Sequence, residues 1–168
     1  MKRLYLLRHA KAGFDLTGQA DAERVLTHSG KQDAIKLGYK LKGRNEEIDW
    51  FKCSPALRTR QTLETLMEVT GYSDSRLDIV PELYQSSDER FLQLIRQTAD
   101  QHNALMLVGH NPTITQAANY LGIDFRIDHL PTCGLVAFSF EVDSWHQISE
   151  HSGKVLWFDF PQNEYAIL

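Results

Sequence analysis

The chain has 168 residues, enough to bury a core and too few for two comfortable domains, so one domain spanning residues 1–168 is expected. Apolar residues make up 42% and charged residues 24%, which sets aside disordered, fibrous and coiled-coil chains. With 18 Lys and Arg against 22 Asp and Glu the net charge is −4, which argues against nucleic acid or an anionic membrane as partner and requires any anion site to be a local concentration of positive charge.

Leu4 to Leu7 is a short continuous apolar run, the pattern of a strand buried on both faces, and it stops abruptly at Arg8-His9. The run is too short for the core of a leader peptide and no stretch approaches the roughly 18 apolar residues of a membrane span, so a soluble cytoplasmic protein is expected. Gly13 to Arg24 has loop composition, in which Asp15, Asp21 and Arg24 suit a pocket rim and an ordinary polar loop equally well. Thr27 or Ser29 can cap a helix whose Ala34, Ile35, Leu37, Gly38 and Leu41 share one stripe, with Gly43 as its stop.

Ile48 to Cys53 predicts a second strand, ended by Ser54-Pro55, and Leu57 to Val69 a second helix with Leu63, Leu66, Met67 and Thr70 facing inward. Leu77 to Leu83 offers a third strand. The segment SSDERFLQLIRQTADQ supplies a capping serine, an acidic first turn and a stripe of Phe91, Leu92, Ile95 and Ala99. Ala104 to Val108 is the clearest buried strand and ends in GHNP, where Asn111, with Pro112 at the first helical position, caps a fourth helix reaching about Leu121. Gly134 to Val142 and Lys154 to Phe160 alternate like two antiparallel strands at one side of the sheet. The alternation of strand and helix predicts an α/β fold, a three-layer α/β/α sandwich around a mostly parallel sheet of about six strands.

In such sheets ligands gather at the carboxyl ends of the strands. Arg8-His9, SPALRTRQT and Gly109-His110-Asn111 each close a predicted parallel strand, so they are expected to converge on one edge. Guanidinium forks, histidines and the helix starts near residues 55 and 112 together suit a doubly charged phosphoryl group. There is no GxxxxGK[ST] motif and no acidic cluster with Mg²⁺-ligand character near these segments, so phosphoryl transfer without metal or cofactor is expected. Histidine can attack phosphorus and form a covalent phosphoenzyme. His9 must then be neutral, its second ring nitrogen held by a backbone carbonyl and its pKa lowered by the arginines. Cys53 and Cys133 have no paired spacing, and Cys53 has the setting of an inert buried thiol.

The blocks LLRHAKA, SPALRTRQT and VGHNP, in this order, resemble the three signatures of the histidine phosphatase superfamily, the "RHG" phosphatases and phosphoglycerate mutases. Within it the RHAKA form, ERVLTHSG and the short chain most resemble the phosphohistidine phosphatases of SixA type. The resemblance runs from Leu4 to about Leu121. It implies a phosphoglycerate mutase-like fold, His9 as the phosphorylated nucleophile, Arg8 and Arg58 as phosphate ligands, and His110 as the fourth pocket member, donating to the phosphoryl oxygens. Arg60 has no such role and is expected to point away along its helix.

Two positions depart from the pattern. Ala10 stands where many members have glycine, a small change. In VPELYQSSDER, Gln85 takes the position of the general acid that many members carry; Glu82, Asp88 or Glu89 could substitute without matching the pattern. An imidazole leaving group, with a conjugate-acid pKa of roughly 6.5, protonates readily where an alkoxide does not, so loss of the acid favours phosphohistidine over phosphate esters. The short chain leaves little length to roof the pocket, which suits a phosphorylated side chain on a partner protein. The expected function is a metal-independent phosphatase acting on phosphohistidine of a carrier or signalling protein. The alternatives are a phosphomonoesterase on a small metabolite, with Glu82 as acid, and a non-catalytic phosphohistidine-binding module. Tyr84 and Phe91 are expected to be packing residues, and His28, His102, His129, His146 and His151 surface or loop residues.

Overall fold

The computed structural model describes residues 1–14 and 18–163, so the expectation for Asp15 lies outside it. Six strands form one sheet: β1 (Lys2–Arg8), β2 (Trp50–Cys53), β3 (Leu77–Ile79), β4 (Ala104–Gly109), β5 (Leu135–Phe140) and β6 (Lys154–Asp159), in the order β3-β2-β4-β1-β5-β6. β1 through β4 run parallel, and β5 pairs antiparallel with both β1 and β6. Only β5 therefore runs against the rest, as expected for a mostly parallel sheet closed by an antiparallel pair.

The continuous apolar runs are explained by what covers the sheet. Successive strand residues face opposite sides. Tyr5 and Leu7 of β1 and Met106 and Val108 of β4 join the core under α1 (His28–Gly43) and α2 (Leu57–Thr70), with Leu37, Leu41, Leu63 and Leu66. Leu4, Leu6, Leu105 and Leu107 join the core under α3 (Asp88–Arg96) and α4 (Thr113–Leu121), with Phe91, Ile95, Ile114 and Leu121. Helices on both faces make three layers.

The helix ends follow local chemistry with small departures. Thr27 Oγ1 accepts from Gly30 N and Ser87 from Arg90 N, as N-caps. Gly43 is the last residue of α1, and the positive φ falls on Asn45 instead. On α3 the buried stripe is Phe91, Leu94 and Ile95, while Ala99 lies past the helix end and is exposed. Pro112 is the N-cap of α4, which starts at Thr113, one residue later than expected, and Asn111 does not cap: its side chain bonds Leu130 O and Thr115 Oγ1.

The expected third strand is cut short. Pro81 has no N–H to give a ladder, so β3 stops at Ile79 and residues Pro81–Leu83 form a 3₁₀ turn. The turn delivers Tyr84 to the edge of His110, with ring centroids 5.6 Å apart.

Gly30 on α1 lets the backbone after β1 pass close. A Cβ at Gly30 would lie 2.1 Å from Lys11 O. Gly30→Ala is expected to cost about 1–3 kcal/mol, read as a lower urea midpoint at unchanged slope.

Candidate active site

The parallel ladder continues one residue beyond three strands. Arg8 stands opposite Gly109 and Cys53 opposite Val108 in register. His9 N then donates to Gly109 O at 3.3 Å and Ser54 N to Val108 O at 3.1 Å. The strand ends thus bring His9, Ser54 and His110 together, and the His9 and His110 rings lie 5.4 Å apart. Arg58, in the first turn of α2, places Nη2 3.4 Å from His110 Nδ1. The structure therefore gathers Arg8, His9, Arg58 and His110 at one edge.

His9 is 7% exposed, and its Nδ1 lies 2.8 Å from Ala10 O. A carbonyl only accepts, so Nδ1 carries the proton and Nε2 the lone pair. Burial lowers the His9 pKa to about 4; the Ala10 bond opposes this in part, and Arg58, Arg8 and Arg24 add to it. Ala10 N is itself held by Thr62 Oγ1 at 2.9 Å, which fixes this backbone to α2. Burial and Arg58 lower His110 to about 3, so both rings are neutral near pH 7.

The two guanidinium groups are confined and incompletely paired. Arg8 Nη1 donates to Leu130 O at 3.0 Å. Arg58 Nη1 donates to Asp21 O at 2.8 Å and Nη2 to Asp21 Oδ2 at 3.1 Å. Among the described residues the buried Nε atoms of Arg8 and Arg58 have no hydrogen-bond partner. Burial and the neighbouring Arg58 lower the pKa of Arg8. A half-buried and a buried guanidinium beside a neutral imidazole form a receptor for an oxyanion.

Asp21, for which rim and ordinary loop were equally open in the sequence, and Tyr84, expected only to pack, both join the site. Tyr84 Oη donates to Asp21 Oδ2 at 2.6 Å, and Arg24 Nη1 lies 3.0 Å from Oδ1. The Tyr84, Arg24 and Arg58 bonds hold the Asp21 carboxyl down to about 2. Asp21 is thus rim rather than free loop, and Tyr84 packs by its ring while its hydroxyl bonds the rim. Ser54 was visible only as a strand terminator; its Oγ lies 2.7 Å from His110 Nε2. None of these contacts has a signature in sequence spacing.

Glu82 is placed differently from a proton donor. Its carboxylate is exposed and accepts from Arg90 Nη2 at 3.2 Å. Its own backbone N–H and Arg90 hold its pKa below the ordinary value, so it carries no proton near neutrality. Gln85 is exposed and shares an open cleft with Tyr84, Ser86, His110 and Thr113. Arg60 is exposed and faces Glu64 along α2. His28, His129, His146 and His151 are exposed, and His102 stacks on Trp50 far from the site's strand ends. Burial pushes the Cys53 thiol up to about 12, as suits an inert side chain. Among the described residues no group of three or more His, Cys, Asp or Glu could hold a metal ion, and no helix is long and apolar enough to cross a membrane.

Comparison with known proteins bears on this arrangement. Residues 4–84 match the model of the histidine phosphatase superfamily (branch 1). The phosphohistidine phosphatase SixA of Escherichia coli K12 is 26% identical over 114 residues, covering 67% of this chain and 69% of that protein. The crystal structure of a proposed phosphohistidine phosphatase SixA from Agrobacterium tumefaciens aligns with a TM-score of 0.81 at 28% identity, over 95% of this chain and 98% of that one. SixA complexed with tungstate shares the fold, with a TM-score of 0.79 at 21% identity over 95% of this chain and 97% of that one. The chain resembles this superfamily and, within it, its SixA-type proteins.

An ordinary histidine titrates near 6.5, so below that pH the unfolded chain binds protons that His9 and His110 refuse. Their contribution to stability is full above about 6.5 and falls as the pH drops toward about 4 for His9 and about 3 for His110. Urea unfolding is expected to show lower stability at about pH 5 than at about pH 7, with the difference reduced in His9→Asn.

Proposed function

We propose that this chain is a phosphatase that attacks phosphorus with His9 and, of the substrates this chemistry admits, acts on phosphohistidine borne by another protein, without a metal ion. The superfamily match and the SixA-type neighbours support phosphatase activity. The observation that carries the mechanism is the convergence of the half-buried Arg8 and the buried Arg58 on a histidine whose Nδ1 proton is held by Ala10 O.

In the first step the His9 Nε2 lone pair forms a bond to phosphorus while the bond to the leaving imidazole nitrogen breaks. The substrate ring has first taken a proton from solvent on its other nitrogen, so the nitrogen that receives the electron pair departs as part of a neutral imidazole. Arg8, Arg58 and His110 offset the charge on the phosphoryl oxygens through the transfer. In the second step water attacks the phosphorus of phospho-His9, releasing inorganic phosphate and restoring the neutral ring. The proton stays on Nδ1, donated to the Ala10 carbonyl, throughout, which keeps Nε2 free for bond formation.

The leaving group decides the substrate. A protonated imidazole leaves without help, and Glu82 gives it none, being ionised and turned to Arg90. The cleft beside His110 is open, lined by Tyr84, Gln85, Ser86 and Thr113, which suits a side chain presented on a protein surface.

Trapping quenched in alkaline denaturant, with a phosphohistidine carrier protein as donor, is expected to label His9, and His9→Ala to lower turnover by about 10³-fold or more. Activity is expected to survive EDTA; its loss would exclude the metal-free mechanism. Glu82→Gln is expected to match wild type on phosphohistidine, and a faster rate on para-nitrophenyl phosphate than on the carrier would favour a small phosphate ester as substrate.

A further inference from the structure

Ser54 sits one residue past β2, fully buried, where its hydroxyl meets two groups of different character. Ala56 N, 3.3 Å away, can only donate and so occupies one lone pair of Oγ. His110 Nε2, at 2.7 Å, can donate to the hydroxyl or accept from it. On the other side of the ring, Arg58 Nη2 lies 3.4 Å from Nδ1 and can only donate. With Nδ1 accepting from Arg58, Nε2–H donates to Ser54, and the Ser54 hydroxyl proton is then left without an acceptor among the described residues.

A bound phosphoryl group reverses the demand at Nδ1. Its oxygens only accept, and the two guanidiniums that hold it are the nearest cations. For His110 to give a hydrogen bond to the anion through Nδ1, the proton must stand on Nδ1. It can stand there as a neutral ring only if Nε2 is satisfied as an acceptor. The Ser54 hydroxyl can supply that by rotating its proton toward Nε2, still accepting from Ala56 N. Burial and two neighbouring arginines disfavour the alternative, a doubly protonated ring.

We propose that Ser54 is a positioning residue that sets the tautomer of His110, accepting its Nε2 proton in the empty site and donating to Nε2 when a tetrahedral dianion is bound, so that Nδ1–H faces the anion. The exchange is neutral overall: one proton leaves Nε2 to solvent and one is taken up at Nδ1. The inference rests on the phosphate site proposed above.

The test uses the whole protein labelled with ¹⁵N-histidine, with tungstate as the probe. Nitrogen shifts and their couplings to ring protons report which His110 nitrogen carries the proton. Nε2–H without tungstate and Nδ1–H with it is the expected result; Nε2–H in both, or a doubly protonated ring in the complex, overturns the proposal. Ser54→Ala is expected to weaken tungstate binding by about tenfold, the loss of a hydrogen bond to a group that contacts a charge, with the His9 Nδ1–H signal retained as evidence of an intact site. Wild-type affinity in that variant overturns the role of Ser54, and if the variant does not fold the wild-type spectra decide. Tungstate that shifts neither histidine overturns the phosphate site itself and this inference with it. Binding without a change of tautomer overturns the inference alone.

Discussion

The parallel pairing of β1 with β4 holds two histidines from distant parts of the chain side by side. Arg8 stands opposite Gly109, so the next residue on each strand, His9 and His110, falls at the same height on the sheet. This register is enforced by packing away from any chemistry. Leu4 and Leu6 enter one core while Tyr5 and Leu7 enter the other, and a slip of one residue would exchange the two sets. The hydrophobic layers thereby fix a polar edge to within the tolerance of side-chain packing.

That edge carries charge against its surroundings. Arg8, half-buried, and Arg58, buried, are brought together, and among the described residues each keeps a buried Nε–H without a partner, a cost of about 1–3 kcal/mol for such a donor. Leu130 O and Asp21 relieve part of the strain on the cations, Asp21 by covering the fork of Arg58 that an oxyanion would share. An anion supplying acceptors to both Nε atoms removes both deficits, so what the empty site lacks is available to binding. The same burial and charge keep His9 neutral. Anion affinity and nucleophile readiness therefore have one physical origin.

The choice of leaving group is decided at the other side of the cleft. Pro81 ends β3 early, and the turn that follows sends Glu82 outward to Arg90 and Tyr84 inward to Asp21 and His110. Glu82 is thereby withdrawn from the cleft, whose lining keeps Asp88 of α3, and the proposed substrate is one whose leaving nitrogen protonates unaided.

Strand, helix and their order were legible in the sequence because each apolar run or stripe answers to a local period. So was the convergence of Arg8, His9, Arg58 and His110, since parallel strands place their carboxyl ends together whatever lies between them. The carbonyl partner of His9 was foreseeable from chemistry, as the neighbouring backbone supplies it. The length of β3, the inward turn of Leu94 in place of Ala99, and the true partners of Asn111 were not. These depend on which edge a strand occupies and which loop lies over a helix start. Asp21 and Tyr84 are 63 residues apart and meet only because the first loop folds back over α2. Ser54 is an ordinary strand-ending serine until His110 arrives 56 residues later. Sequence alone determined the set of residues at the strand ends, because register and period are local rules. Only the tertiary structure decided their protonation and partners, because burial and charge at a point are sums over the whole fold.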